Sequence, residues 1–228
     1  VSQLARISFD ADAGLVWANC LAGPRAHTKQ RFAQMMSEYD LPLVVASFLV
    51  AVLAAYAALF FGARLVNAES GERRKWLLAG ALLMGTGVWT MHFVGMRAMP
   101  MGVPMSFDVM MTLVSWLAAV LASGVALHII GRKQLGVPLF VSATLSMASG
   151  IVVMHYLGMY AMRMSAPPTF NTVFLLISIA IAVVASGAAL ALCRKLQGMD
   201  GSGTLAVQFV AALVMAAAIC GMHYTGMM

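Results

Sequence analysis

Six long apolar runs, separated by short polar connections, occupy most of the chain. Each run is close to the ~20 residues that a helix needs to cross the hydrocarbon core of a membrane. The runs cover about residues 42–63, 76–96, 108–130, 138–160, 171–193 and 204–227. This pattern predicts an all-α integral membrane bundle of six transmembrane helices.

The connections between the runs differ in charge. The first, third and fifth connections hold eight basic residues: Arg64, Arg73, Arg74, Lys75, Arg132, Lys133, Arg194 and Lys195. The second and fourth connections hold only Arg97 and Arg163. Because cytoplasmic loops carry an excess of Lys and Arg, we expect the odd-numbered connections to be cytoplasmic. The second, fourth and sixth helices then all end near the outer face.

A longer repeat underlies the runs. The first helix of each pair starts with an Asp or Asn, whose side chain can accept hydrogen bonds from the unpaired N–H groups of a helix N-terminus. A serine follows seven residues later. The starting residues are Asp40, Asp108 and Asn171, and the serines are Ser47, Ser115 and Ser178. The sequence therefore predicts three repeated helical hairpins.

Each hairpin ends in the sequence Met-His-x-x-Gly-Met, called the MHxxGM motif below. Its three copies are Met91–Met96, Met154–Met159 and Met222–Met227. On a helix the His, the Gly three residues on and the Met four residues on share one face. Intramembrane histidines usually face the interior of a bundle and have functional roles. The motifs therefore predict a ligand site shared between helices.

Imidazole and thioether groups together suit soft metals, copper above all. The ligands predicted on these grounds are His92, His155, His223, Met96, Met159 and Met227. Supporting contacts are expected from Tyr156, Tyr224, Met99 and Met162. Phe93 lacks the hydroxyl of the two tyrosines, so the first copy is not equivalent to the others. Haem, which also takes His and Met as axial ligands, is one alternative, and a structural role without metal is another. Three histidines rather than two pairs, and the Met-rich loops, favour copper.

Composition narrows the classes of function. The chain is 62% hydrophobic and 10% charged, whereas soluble domains have about 25% charged residues. The lipid bilayer is thus the expected partner, and nucleic acid is not. The three cysteines lie far apart and predict no disulfide framework; Cys220 is either a ligand of the third motif or a buried thiol. The sequence shows no catalytic triad, phosphate loop or carboxylate pair, and so gives no support for an enzyme.

Residues 1–38 contain no long apolar segment. We expect a poorly ordered N-terminal tail, or an upstream extension through residue 34 that precedes a true start at Met35 or Met36. Residues 39–228 are expected to form the membrane domain.

The third motif begins Met222-His223-Tyr224-Thr225 and resembles the signature of the MHYT domain, a family of bacterial integral-membrane sensors. The resemblance covers about residues 40–228 and includes the three motifs, the helix starts and the basic turns. It implies a multi-pass sensor in the bacterial cytoplasmic (inner) membrane that binds copper and senses oxygen, CO or NO. The ligands that it implies are Met91, His92, Met154, His155, Met222 and His223.

The chain departs from the family pattern in two ways. Phe93, Val94 and Leu157 replace the Tyr or Thr of the signature. The family also implies a seventh helix and a cytoplasmic output module, such as cyclic di-GMP synthesis and hydrolysis domains, whereas the sequence ends at Met228. We therefore expect a truncated sensor, or one that signals through an output protein in trans.

The expected function is a membrane sensor in which a diatomic gas, or the copper or redox state of the site, changes helix packing. The alternative is a copper transport or delivery protein. A transporter would need acceptor ligands near the cytoplasmic end, where the sequence offers only His128 and Cys193.

Overall fold

The computed structural model describes residues 39–65, 68–99, 106–163, 171–196 and 202–227. Six helices are present in this part of the chain: α1 Leu41–Leu65, α2 Ser70–Arg97, α3 Val109–Ile130, α4 Val137–Tyr160, α5 Thr172–Leu196 and α6 Ser202–Gly226. All six are long and apolar enough to cross a membrane. The predicted all-α bundle of six membrane helices is confirmed. The tail predicted over residues 1–38 lies outside the described residues.

Helix α2 begins earlier than the apolar pattern predicts. Arg73 and Lys75, placed in the first connection by the sequence, lie in the first turns of α2. The Arg73 N–H donates to the Glu69 carbonyl at 2.7 Å, and Lys75 pairs with Glu72 at 2.8 Å. Charged residues can continue a helix beyond the hydrocarbon core, because the backbone hydrogen bonds are satisfied within the helix itself.

The helices of the unit Asp40–Met228 close into a ring. Each helix packs on its neighbours in sequence, and α1 packs on α6. Helix α2 also contacts α4 and α6 inside the ring. Small residues permit these contacts: a Cβ added at Gly150 would overlap Ala122, and one added at Gly85 would overlap the Val120 backbone. Close approach through small residues is the usual basis of helix packing in lipid.

The predicted helix starts are confirmed by their caps. The side-chain Oδ1 of Asp40 accepts from Leu43 N at 3.3 Å, and that of Asp108 accepts from Met111 N at 3.0 Å. Asn171 caps α5 in the same way, accepting from Val173 N at 2.9 Å.

In two of the hairpins a backbone hydrogen bond also joins the start of the first helix to the end of the second helix. The backbone N–H of Asp40 donates to the Ala98 carbonyl at 2.9 Å, and that of Asp108 donates to the Ala161 carbonyl at 2.7 Å. The start and the end of a hairpin, and hence the MHxxGM motifs, therefore lie at the same end of the bundle.

The basic residues lie at the opposite end. Arg194, in the last turn of α5, donates to the carbonyls of Ile130 at 3.3 Å and Arg132 at 2.8 Å. A guanidinium group at the C-terminus of α3 satisfies carbonyls that lack a helical partner and complements the helix dipole. The sequence prediction that motifs and basic turns occupy opposite ends of the bundle is confirmed.

Candidate metal centre

Three buried histidines meet where α2, α4 and α6 converge. His92, His155 and His223 are each 0% exposed. Their Nδ1 atoms form a triangle: His92 to His223 is 3.0 Å, His92 to His155 is 3.2 Å, and His155 to His223 is 3.3 Å. The structure thus brings together the three histidines that the motifs single out.

This triangle suits a metal ion better than a set of hydrogen bonds. Each Nδ1 faces two others, whereas a neutral ring nitrogen offers either one proton or one lone pair. The three contacts therefore cannot all be hydrogen bonds. The point equidistant from the three nitrogens lies about 1.8 Å from each, close to the ~2.0 Å length of a metal–imidazole bond. The residues present fit a single ion held by three Nδ1 atoms.

The other nitrogen of each ring faces a glycine of a different hairpin. Among the described residues, the Nε2 atoms of His92, His155 and His223 have no hydrogen-bond partner of good geometry. They lie against Gly158, Gly226 and Gly95, respectively. The motif glycine, predicted only to share a face with its own His, therefore contacts the histidine of another motif.

The motif methionines lie in two separate clusters. The methionines that precede the histidines are 0–1% exposed and belong to the main core of the bundle: Met91, Met154 and Met222. The methionines four residues after the histidines lie in or against a smaller cluster at the end of the bundle: Met96, Met159 and Met227, with Met162. Met99 is half-buried and lies outside that cluster. Thioethers therefore flank the histidines on both sides along the helices.

The two motif tyrosines connect the histidines to the neighbouring hairpin. The ring of Tyr156 packs edge-on against His155 at 4.8 Å, and its hydroxyl lies 2.8 Å from Ser178 Oγ. Ser178 already donates its proton to the Leu175 carbonyl at 2.8 Å, so the tyrosine is the donor. Tyr224 has the same arrangement, with its ring 4.9 Å from His223. Each tyrosine thus supports its histidine through the ring and bonds a helix start through the hydroxyl.

The first hairpin achieves the same link with a different residue. Phe93 has no hydroxyl, and the equivalent serine, Ser115, accepts instead from the indole N–H of Trp89 at 3.2 Å. Trp89 lies one turn before Phe93, and their rings pack 4.8 Å apart. Sequence reasoning missed this role of Trp89. The missing hydroxyl at Phe93, combined with a Trp one turn earlier, is the signal that identifies it.

Other residues considered from the sequence lie elsewhere. Within the described residues, the only group of convergent His, Cys, Asp or Glu ligands is the three histidines. Cys220 is buried but does not join it. Cys193 packs on Gly62 near the basic end, and His128 is exposed.

One ion pair lies at the motif end, outside the membrane spans. Arg163 donates to Asp108 at 3.0 Å, and both side chains are partly exposed. The backbone N–H of Met111, and after it Arg163, lowers the pKa of Asp108 below its usual value. Both partners stabilise the ionised carboxylate, which caps α3.

Comparison with known proteins identifies the family. Three segments, 30–80, 85–143 and 149–206, match the MHYT family, described as "Bacterial signalling protein N terminal repeat". The second and third matched segments each begin six or seven residues before a motif histidine and continue through the following helix. The family's repeat unit therefore joins a motif to the first helix of the next hairpin. Trp89 and Ser115 form their hydrogen bond within one such unit.

Three curated relatives extend the match. The chain is 43% identical over 194 residues to the bifunctional diguanylate cyclase/cyclic di-GMP phosphodiesterase MucR of Pseudomonas aeruginosa, covering 85% of this chain and 28% of MucR. It is 36% identical over 189 residues to the cyclic di-GMP phosphodiesterase NbdA of the same species, covering 83% and 24%. It is 34% identical over 192 residues to the signaling protein YkoW of Bacillus subtilis, covering 83% and 24%.

The chain spans about a quarter of the length of these relatives, and no solved structure matches it. The segments that match the family lie within residues 30–206 and contain the first two motifs. This chain therefore belongs to the MHYT family of bacterial signalling proteins, as a multi-pass membrane sensor domain.

Proposed function

We propose that this domain is a copper-dependent sensor whose ion is held by the Nδ1 atoms of His92, His155 and His223. The observation that carries the proposal is the triangle of three buried Nδ1 atoms with edges of 3.0–3.3 Å. Occupancy of the site, or its redox or ligand state, would change how closely the three rings approach. Since the rings separate α2, α4 and α6, the change would reach the bundle as a change in helix spacing.

Charge favours a univalent ion in this site. Among the described residues no Asp or Glu joins the three histidines, so the ligands are neutral and the ion keeps its full charge. The cost of burying a charge in a low-dielectric interior rises with the square of that charge. Cu(I) therefore fits this site better than Zn(II). The thioethers on both sides of the histidines also prefer the softer ion.

Packing favours a bare ion over haem. A haem iron takes its axial ligands from opposite faces of a wide macrocycle, whereas these three rings contact one another. His92 and His155 lie 4.9 Å apart between ring centroids, and His155 and His223 lie 5.3 Å apart. A porphyrin would have to separate all three helices.

The protein itself would bind the ion, orient the histidine rings and shield the ion from water. The histidines bind through Nδ1, the aromatic rings beside them fix their planes, and burial excludes water from the ion. When bound, copper would supply reversible one-electron chemistry and affinity for oxygen, CO or NO, which are the signals we propose. An output module for cyclic di-GMP, in the same protein or in trans, is proposed because the names of MucR and NbdA describe enzymes of cyclic di-GMP turnover.

Copper transport is the second candidate, and one observation favours it. A further set of buried methionines lies two turns before the motif methionines, toward the basic end: Met84, Met147 and Met215. Thioethers therefore continue along the bundle. Uptake of Cu(I) into proteoliposomes would distinguish the two functions, because a sensor binds copper without moving it across the bilayer.

Copper and haem analysis of the protein purified in lipid nanodiscs tests the proposal. We expect about one copper and no haem per chain, and loss of the copper in His92→Ala, His155→Ala and His223→Ala. His128→Ala is the matched control, since His128 is exposed and far from the triangle. Absence of copper from the wild type after reconstitution with Cu(I), or unchanged copper in all three variants, would exclude this site.

A further inference from the structure

We infer that Gly95, Gly158 and Gly226 are positioning residues, each of which seats the histidine of a different hairpin and so selects the nitrogen that faces the metal. The effect on copper rests on the proposed function. The seating itself rests on the geometry of the protein alone.

The contact is the same at all three places. A Cβ built on Gly158 would overlap the ring of His92, with Nε2 as the nearest atom. A Cβ on Gly226 would overlap His155, and one on Gly95 would overlap His223, again with Nε2 nearest. Each imidazole thus occupies the space that a side chain at the glycine would take.

The contacts follow a cyclic order. The histidine of α2 rests on α4, that of α4 rests on α6, and that of α6 rests on α2. No histidine rests on the glycine of its own motif. Each motif therefore provides one histidine to the centre and one glycine on which the histidine of another motif packs.

These seats differ from the other glycines of the bundle. Gly85 and Gly150 approach the backbone or the small side chains of a neighbouring helix, which is ordinary close packing. Gly221, two residues before His223, has nothing within 4 Å of the place where a Cβ would stand. Among the glycines that the structure describes, a histidine nitrogen lies at the Cβ position only at the three motif glycines.

The seat decides the direction of the ring. With Nε2 next to the place where the Cβ of a glycine would stand, the opposite edge of the imidazole points to the centre of the bundle, and Nδ1 becomes the inward nitrogen. An added methyl group would push the ring toward the other two histidines, whose Nδ1 atoms are only 3.0–3.3 Å away. A change at Gly158 should therefore displace the ring of His92, although the histidine in the same motif as Gly158 is His155.

A double-mutant cycle tests the seat in the metal-free protein. We expect Gly158→Ala to lower the unfolding midpoint, because the methyl group meets the ring of His92. In a His92→Ala background the same change should leave the midpoint unchanged or raise it, because Ala is the better helix former once the clash is gone. In a His155→Ala background it should still lower the midpoint. Gly221→Ala is the control and should not lower it.

Copper affinity provides the second readout. We expect Gly158→Ala to weaken Cu(I) binding by about 10–100-fold, as changes to groups that orient metal ligands do. X-ray absorption of the copper-loaded variant should show fewer imidazole ligands than the wild type, which a general loss of stability would not produce. Gly221→Ala should keep wild-type affinity.

The outcomes separate the two proposals. If Gly158→Ala lowers the midpoint equally with and without His92, or behaves like Gly221→Ala in both readouts, the seat is wrong. If the wild type binds no copper, the proposed function fails, and the cycle in the metal-free protein still decides whether the glycine positions the histidine.

Discussion

The hydroxyl of Tyr224 lies 3.0 Å from Ser47 Oγ and joins the last helix of the ring to the first across 177 positions of sequence. Ser47 donates its own proton to the Val44 carbonyl at 2.7 Å, so Tyr224 is the donor. Because the ring of Tyr224 also packs on His223, the bond connects the histidine centre to α1.

Removal of this hydroxyl should loosen the contact between α6 and α1. We expect Tyr224→Phe to lower the free energy of unfolding by about 0.5–1.5 kcal/mol, the usual net contribution of one such hydrogen bond. Thermal unfolding in nanodiscs measures the change. Ser47→Ala completes a double-mutant cycle, in which the two losses should not add. Additive losses would mean that the hydroxyl and Ser47 do not interact.

The first hairpin should tolerate an exchange of hydrogen-bond donors. Trp89→Phe removes the indole N–H that Ser115 accepts, and we expect a lower unfolding midpoint. Phe93→Tyr in the same chain should restore part of the loss, because it creates the arrangement that Tyr156 makes with Ser178. In the wild-type background Phe93→Tyr should raise the unfolding midpoint less, since Ser115 already accepts a hydrogen bond from Trp89. An equal gain in both backgrounds would contradict the substitution of one donor for the other.

The thioethers should contribute to the affinity for copper and contribute little to the stability of the fold. Met96→Leu conserves volume, so we expect a stability cost below about 1.5 kcal/mol. Because Met96 lies one helical turn beyond His92, we also expect about a tenfold weaker affinity for Cu(I), measured by competition with a chromophoric chelator. Met84→Leu is the matched control, buried in the main core two turns before the motif. Equal effects of the two changes would count against a contribution of the Met96 thioether to copper binding.

Because of the Asp108 cap of α3, the stability of the protein should depend on pH in the acidic range. The pKa of Asp108 is lowered in the folded protein by the Met111 N–H and by Arg163. Its contribution to stability is therefore complete above the unfolded pKa of about 3.9 and is lost as the pH falls through the lower folded value.

Asp108→Asn tests this dependence, since Asn171 caps α5 with an amide. We expect wild type to be more stable than Asp108→Asn at neutral pH, and the difference in unfolding midpoint to vanish in acid. High salt should reduce the part that is due to Arg163, because the pair is partly exposed. A difference that is constant from pH 7 to pH 3 would exclude the ionised cap.

The sequence predicted the helices and the meeting of the histidines because both depend on periodicity. Apolar runs of membrane length and a motif repeated at the same place in each hairpin leave little freedom for the fold. The start of α2 was placed too late, because Arg73 and Lys75 interrupt the apolar pattern without interrupting the helix.

The partners of the motif residues could not be predicted in the same way. Spacing along one helix shows that His92 and Gly95 share a face, but it does not show what each of them meets. The contact of His92 with Gly158 depends on how α2 and α4 are placed around the ring. The hydrogen bond from Trp89 to Ser115 depends on a hydroxyl that is absent at Phe93, one turn away.

The cyclic seating of the histidines has a consequence for how the sequence can change over evolution. A larger residue at Gly158 requires the ring of His92, in another hairpin, to move or to be replaced by a smaller side chain. The pair that must vary together thus lies across two motifs. We therefore expect a change at a motif glycine in one repeat to require an adjustment at a histidine in another repeat.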